Sequence, residues 1–199
     1  QLRSDSSTPD TKVMPWNGSV SRELFSENSE STVLFRGKIQ MCIFAVKIVK
    51  YIYITGQYVK LNMKKVELSS EINKKEKQIE DNNDHIQTLH DIDMKDTEAY
   101  TVHKTIRILN ETNKKLNEEI EIIKKVQSED KILLLDTNTS DAAMIELSTV
   151  HKYKGDEAKN VFVVSDATDR LMKKDIAPNN EAFCIANVAI TRATECLYI

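Results

Sequence analysis

The chain has 199 residues, the size of a single domain or of one part of a larger protein. Its 28 Lys and Arg residues nearly balance 31 Asp and Glu residues, and the net charge of −3 excludes a globally basic nucleic-acid-binding protein. The four glycines are too far apart for a Walker A loop, a Rossmann fingerprint or a G-x-S-x-G nucleophile elbow: Gly18, Gly37, Gly56 and Gly155.

The N-terminal third begins with a polar segment and continues with short apolar runs. Residues 1–31 are rich in Ser, Thr, Asp and Glu, which predicts a flexible leader with Trp16 as an anchor. The β-branched run at residues 32–35 predicts a buried strand, residues 39–50 a helix, and residues 51–56 a second strand. Strand, helix and strand over about 25 residues match the size of a βαβ unit.

Neither a membrane span nor a metal centre is favoured. Residues 39–55 form the most apolar stretch, but Lys47 and Lys50 interrupt it, and a spanning helix needs about 20 largely apolar residues. The three cysteines contain no C-x-x-C pair, so neither a disulfide framework nor a zinc site is indicated: Cys42, Cys184 and Cys196.

Residues 64–130 differ in composition from the rest and predict a helical insertion. Proline and glycine are absent, and residues 90–93 suggest a break between two antiparallel helices. A long coiled coil is the alternative, although Lys75, Asn82 and Asn113 interrupt its apolar stripe. The charged residues fit a solvated helix face or a partner-binding surface. Apolar residues of the second helix recur with helical spacing at Val102, Ile106, Leu109, Leu116, Ile120 and Ile123.

The C-terminal third returns to alternating elements. Continuous apolar strands separated by helices predict an α/β fold, a parallel sheet with helices on both faces. The predicted strands are residues 132–135, 145–149, 161–164 and 196–199, and the predicted helix is residues 181–193.

Two segments of this C-terminal third carry residues suited to chemistry. The segment 148–157 follows a predicted strand and contains hydroxyl, imidazole and ammonium groups together with Gly155, a combination that suits a polyphosphate or a nucleic-acid backbone. An ordinary charged turn is the alternative. In the segment 187–194, Arg192 lies among small and apolar residues, and its guanidinium suits the charge that develops on a γ-phosphate. The alternatives for Arg192 are a helix C-terminal cap or an ion pair with Glu195.

In this order and at this separation, the two segments resemble motifs of the UvrD/Rep-type superfamily 1 DNA helicases. Residues 149–157, T-V-H-K-Y-K-G-D-E, resemble motif V, and residues 188–193, V-A-I-T-R-A, match motif VI without a departure. The sequence of residues 147–152 is most similar to that of the F-box DNA helicase branch. The resemblance implies a RecA-like domain 2A in two parts, residues 32–63 and 131–199, separated by the helical insertion.

For ATP binding, the resemblance implies roles for three residues. Arg192 matches the motif VI arginine that reaches the γ-phosphate and is therefore the expected catalytic residue. Glu157 matches the motif V carboxylate near the nucleotide sugar, and Gly155 is expected beside the same cofactor. ATP with Mg²⁺ would be held mainly by an N-terminal RecA-like domain, in cis or in trans, because the chain has no Walker A or Walker B motif.

For single-stranded DNA, the resemblance implies a second set of residues. Thr149, His151 and Gly155 match the motif V positions that face the DNA backbone, and Lys152 is expected there as well. Arg36 matches the arginine of the family's R-T-N-A segment, although Gly-Lys follows it in place of Thr-Asn. Asp156 and Ala158 replace the usual Leu and aromatic residue beside Glu157, a change that predicts a looser turn.

The expected function is thus the C-terminal part of an ATP-dependent DNA helicase that couples ATP hydrolysis to translocation on single-stranded DNA and to duplex unwinding. The chain alone is expected to be inactive, with no membrane association and, if the F-box branch applies, a nuclear location. The alternative is a non-catalytic helicase relic that binds a partner through its helical insertion. A third, weaker option is a membrane-attached coiled-coil protein.

Overall fold

The computed structural model describes residues 11–20, 22–25, 31–91, 96–137, 144–164 and 181–199. These residues divide into two compact units, and only the first contains strands. In chain order the elements are β1 (Lys12–Met14), a 3₁₀ turn (Arg22–Phe25), β2 (Ser31–Phe35), α1 (Lys38–Thr55), β3 (Tyr58–Leu61), α2 (Lys65–His90), α3 (Asp96–Ser128), β4 (Ile132–Leu134), β5 (Met144–Thr149), β6 (Ala158–Val163), α4 (Glu181–Ile190) and β7 (Ala193–Tyr198).

The first unit is built on one seven-stranded sheet with the order β1-β7-β6-β2-β5-β3-β4, in which every neighbouring pair is parallel. Strand β2 is central: Val33 lies opposite Leu147 of β5 on one side and Phe162 of β6 on the other. All five residues of β2 are buried, as expected of a parallel strand covered on both faces. The predicted α/β class with a RecA-like parallel sheet is confirmed.

Helices cover both faces because successive side chains of a strand point to opposite sides. Leu34 belongs to a buried cluster that includes Ile185 and Ala189 of α4. On the other face, the ring of Phe35 lies 5.4 Å from the ring of Phe44 in α1, measured between centroids. The sheet is therefore a middle layer between α1 and α4.

Helix α1 is longer than the sequence suggested. Residues 51–56 were predicted to be a strand, but the helix continues to Thr55, so that prediction is wrong. The buried residues Met41, Ala45, Ile48 and Ile52 lie on one helical stripe, and this periodic burial outweighs the strand preference of the terminal β-branched and aromatic residues. Gly56 ends the helix in the left-handed region (φ 71°) and donates its N–H to the Ile52 carbonyl.

The segment predicted to be a flexible leader contains part of the sheet. Lys12–Met14 form strand β1, which pairs with β7, so the prediction is wrong for these residues. Trp16 does act as an anchor: its ring lies edge-on to Phe162 at 5.3 Å and to Phe44 at 6.4 Å. No helix in the described ranges is both long enough and apolar enough to cross a membrane.

The second unit, residues 64–128, is an antiparallel hairpin of α2 and α3. Polar residues that interrupt the apolar stripe have polar partners across the hairpin. Asn82 donates to the side-chain oxygen of Asn113 at 2.7 Å, and Lys75 forms an ion pair with Glu119. The apolar stripe itself is buried at Leu116, Ile120 and Ile123. The sequence had suggested 64–130 for this insertion.

Candidate functional site

The segment 149–157, the crossing segment, runs from the carboxyl ends of the parallel strands, called the carboxyl edge of the sheet below, to their amino ends, called the amino edge. Thr149 ends β5 and Ala158 begins β6, and because these strands are parallel, the two residues lie at opposite edges, about 20 Å apart. The N–H groups of Lys152 and Tyr153 donate to the Thr149 carbonyl at 3.0 and 3.1 Å, and that of Asp156 donates to the Tyr153 carbonyl at 3.2 Å. The sequence had suggested a single site at the carboxyl edge, but only the beginning of the segment lies there.

The carboxyl edge brings together three of the residues expected to bind DNA. Thr149 lies opposite Phe35, and the Val150 N–H donates to the Phe35 carbonyl at 2.9 Å. Arg36 follows Phe35 directly and therefore lies at the same edge as Thr149. The side chain of His151 is exposed, whereas Thr149 is buried and Arg36 half-buried. His151 is the most accessible of these three side chains.

Lys152, which was also expected to bind DNA, is engaged with a neighbouring strand. Its ammonium donates to the carbonyl of Asn62, the residue after β3, at 3.1 Å. The Asn62 amide in turn donates to the Ser148 hydroxyl at 3.1 Å and reaches a Glu146 oxygen at 3.5 Å. Sequence reasoning missed Asn62. The only signal available was its place after Tyr58–Leu61, a strand that was itself not predicted.

A polar row lies on the face of the sheet between the two edges. The ammonium of Lys60 lies 3.6 Å from a Glu146 carboxylate oxygen. Burial raises the pKa of Glu146, and the nearby Lys60 charge only partly opposes this rise. The hydroxyl groups of Thr32 and Tyr153 are 3.2 Å apart. A cavity of about 270 Å³ is lined by these four residues together with Ser31, Glu157 and Ala158.

The amino edge carries the residues expected to bind ATP. Glu157 precedes β6 and Arg192 precedes β7, and the Ala158 N–H donates to the Arg192 carbonyl at 3.1 Å. The backbones of the two candidate residues are therefore adjacent, and the Glu157 side chain is exposed. Gly155 has φ 102°, a conformation that residues with a side chain rarely adopt, so the turn requires glycine at this position.

The guanidinium of Arg192 rests on the end of its own helix. Its Nε donates to the Val188 carbonyl at 3.1 Å, and its Nη2 to the Thr191 hydroxyl at 3.0 Å. Its Nη1 reaches the Asp156 carbonyl at 3.5 Å, so the group faces the crossing segment. This is the C-terminal cap that the sequence left open as an alternative. A guanidinium has five N–H donors, and two of them have no acceptor among the described residues.

The two groups of residues fit parts of the expected ligands. An exposed carboxylate and a guanidinium on one edge suit a sugar hydroxyl and a phosphate. The described residues contain no group of three or more His, Cys, Asp or Glu side chains placed to hold a metal ion, so no Mg²⁺ ligand set is assigned there. Comparisons with known protein families, with curated proteins and with solved structures found no match for this chain.

Proposed function

We propose that this chain is the second RecA-like domain of an ATP-dependent DNA helicase of the UvrD/Rep type. The observation that carries the proposal is the pairing of the two motif-like segments at the amino edge, where the Ala158 N–H bonds to the Arg192 carbonyl. Two segments 35 positions apart in sequence, between Glu157 and Arg192, thereby present a carboxylate and a guanidinium from adjacent strand starts.

In this proposal the amino edge faces the nucleotide. ATP supplies the phosphoanhydride bond, and an N-terminal RecA-like domain, in cis or in trans, holds most of the nucleotide and Mg²⁺. After its side chain extends from the helix end, Arg192 would use its N–H donors to neutralise charge at the γ-phosphate. Glu157 would accept a hydrogen bond from the sugar, and Gly155 would let the backbone approach.

The carboxyl edge faces single-stranded DNA in the same proposal. The exposed His151 would donate to phosphate oxygens, and Arg36 would add a charged contact. Thr149 is buried, so its part would be to hold the start of the segment through its carbonyl, which accepts from Lys152 and Tyr153. Lys152 has a smaller part, because one of its three N–H donors is already used by Asn62. The crossing segment would then connect hydrolysis at one edge with the strand contact at the other.

The experiment that tests the proposal replaces Arg192 in a polypeptide, or in a mixture of domains, that includes a Walker A domain. Arg192→Ala should reduce the DNA-stimulated ATPase rate by roughly three to five decades while single-stranded DNA binding persists. Arg192→Lys should remain strongly impaired, because a lysine cannot form the forked contact. Arg107→Ala is the matched control, since Arg107 is an exposed arginine of the hairpin. An ATPase rate unchanged by Arg192→Ala rejects the proposed role.

A non-catalytic interaction module is the second candidate, and one observation favours it. The Arg192 guanidinium is bound by Val188 and Thr191 of its own chain, a state that needs no nucleotide. In that case residues 64–128 would be the partner-binding unit. The two candidates differ in nucleic-acid binding: a helicase domain requires that His151→Ala weaken single-stranded DNA binding, whereas a module of this kind requires no such effect.

A further inference from the structure

A second cavity, of about 410 Å³, lies on the α1 side of the sheet, away from the crossing segment. It is lined by residues 17–20 and by Phe44, Lys47, Lys50 and Tyr51 of α1. Its volume falls within the range of roughly 300–1,000 Å³ that is typical of small-molecule sites. None of these residues belongs to the site described above.

The loop that forms one wall is held in place by its own hydrogen bonds. The indole N–H of Trp16 donates to the Ser19 carbonyl at 2.9 Å, and the Ser19 N–H donates to the Asn17 side-chain oxygen at 3.0 Å. Between them, Gly18 adopts φ 74°, which closes the turn. Because Trp16 also packs edge-on against Phe44, the loop is tied to α1 and the wall is preformed.

The charged residues in the described lining of this cavity are both lysines. Lys47 and Lys50 lie three residues apart on α1, which places them on neighbouring positions of the helix surface, and both are exposed. Neither forms an ion pair with any residue in the part of the chain that the structure describes, and the described lining of the cavity contains no carboxylate. Two ammonium groups at one cavity favour an anion, and a phosphate group in particular.

Aromatic surface accompanies these charges. Tyr51 is 49% exposed, and its ring lies 6.3 Å from that of Phe25 with an interplanar angle of 32°. Phe44 is almost fully buried and contributes to the cavity lining. An exposed ring beside cationic groups is the combination with which proteins hold a nucleotide, by stacking on the base and pairing with the phosphate.

We propose that this cavity binds a nucleotide, either free or as one unit of a single-stranded nucleic acid. Lys47 and Lys50 contact the phosphate, and the Tyr51 ring stacks on the base. The wall formed by residues 17–20 closes the far side. This site is independent of the proposed helicase role, because it uses neither Arg192 nor the segment 149–157.

The test measures binding of AMP and of fluorescent oligo(dT) to the purified chain, with adenosine and inorganic phosphate as partial probes. Lys47→Ala/Lys50→Ala should weaken AMP binding about ten-fold or more, because charged hydrogen bonds are lost. Tyr51→Ala should weaken it about five-fold or more through lost stacking. The matched control is Lys114→Ala/Lys115→Ala, which removes the same charge from exposed positions of α3. Adenosine and phosphate should each bind more weakly than AMP.

The outcomes identify the source of the nucleotide or overturn the proposal. Binding of AMP without oligo(dT) assigns a free nucleotide, and binding of oligo(dT) that depends on Lys47 and Lys50 assigns a strand. In the second case the two substitutions should also reduce the log–log slope of affinity against salt concentration by about 0.7, the value for one neutralised phosphate of a single strand. The absence of binding to both probes, or equal weakening by the α3 control, overturns the proposal. The readout here is AMP binding that depends on Lys47 and Lys50, whereas the helicase role is read from an ATPase rate that depends on Arg192, so the two proposals can fail separately.

Discussion

Replacement of Asn62 by leucine tests the hydrogen bonds that join the end of β3 to β5 near the carboxyl edge. The Asn62 amide donates to the Ser148 hydroxyl at 3.1 Å and to a Glu146 oxygen at 3.5 Å, and leucine removes both donors at similar volume. Ser148 is fully buried, so solvent does not replace the donor that it loses. The backbone carbonyl that accepts from Lys152 remains in the variant.

The size of the effect follows from these two contacts. A neutral hydrogen bond contributes about 1 kcal/mol net, and the long contact to the Glu146 carboxylate adds at most a similar amount, so Asn62→Leu should cost about 1–2 kcal/mol. For a unit of this size the loss corresponds to a fall in Tm of roughly 3–8 °C. Because the lost amide had stabilised the ionised form of Glu146, the pKa of this already raised carboxyl should rise further. The deficit should therefore be larger at pH 7 than near pH 4.

Thermal denaturation followed by circular dichroism at these two pH values measures the effect. Asn110→Leu is the control, since Asn110 is exposed on α3, and it should change the free energy of unfolding by less than about 0.5 kcal/mol. A deficit for Asn62→Leu no larger than that of the control would show that the Ser148 contact contributes nothing. A deficit of equal size at both pH values would contradict the predicted link between Asn62 and Glu146.

Two further predictions concern the hairpin and the buried carboxyl. Asn113→Ala should cost about 1–2 kcal/mol in urea unfolding, because Asn113 is buried and the half-buried Asn82 loses its hydrogen-bond acceptor, whereas Asn113→Leu should keep more of the stability. Burial raises the folded-state pKa of Glu146 above its ordinary value of 4.5, so folding is more favourable when this carboxyl is protonated. This contribution to stability is lost as the pH rises through the folded-state pKa. Glu146→Gln should therefore gain stability relative to the parent between pH 4 and pH 7; a constant difference would reject this sign.

Much of the fold could be predicted because the central strands are buried on both sides. The run at 32–35 and the run at 161–164 are continuously apolar or β-branched, and both are strands in the structure. Strand β3 was missed because Lys60 interrupts its short apolar pattern, and this lysine is accommodated by Glu146 of the neighbouring strand. Strand β1 was missed because its three residues are exposed and lie within a polar segment of the sequence. Only its pairing with β7 defines it as a strand.

The candidate site residues remain a prediction from the sequence, and their arrangement could not be predicted from it. The order and spacing of motif-like residues identified segments 149–157 and 188–193. Where the first segment begins and ends in the fold depends on how β5 and β6 are placed in the sheet, which the residues of the segment do not specify. For the same reason Asn62 could not be found, since 86 positions separate it from Ser148 in sequence. The cap formed by Arg192 depends on the conformation of its side chain, which the sequence does not specify.

The crossing segment also explains how one departure from the motif V pattern, Ala158, is accommodated. Ala158 replaces an aromatic residue, which predicts a looser turn, yet Ala158 shares its buried cluster with Tyr153, whose ring is 4% exposed. The Tyr153 hydroxyl lies 3.2 Å from that of Thr32, which ties the middle of the segment to the central strand. An aromatic side chain is thus supplied five residues earlier, from within the segment. Because this ring and the hydrogen bonds of Thr149 fix the backbone, the segment has the rigidity that the proposed coupling between the two edges would require.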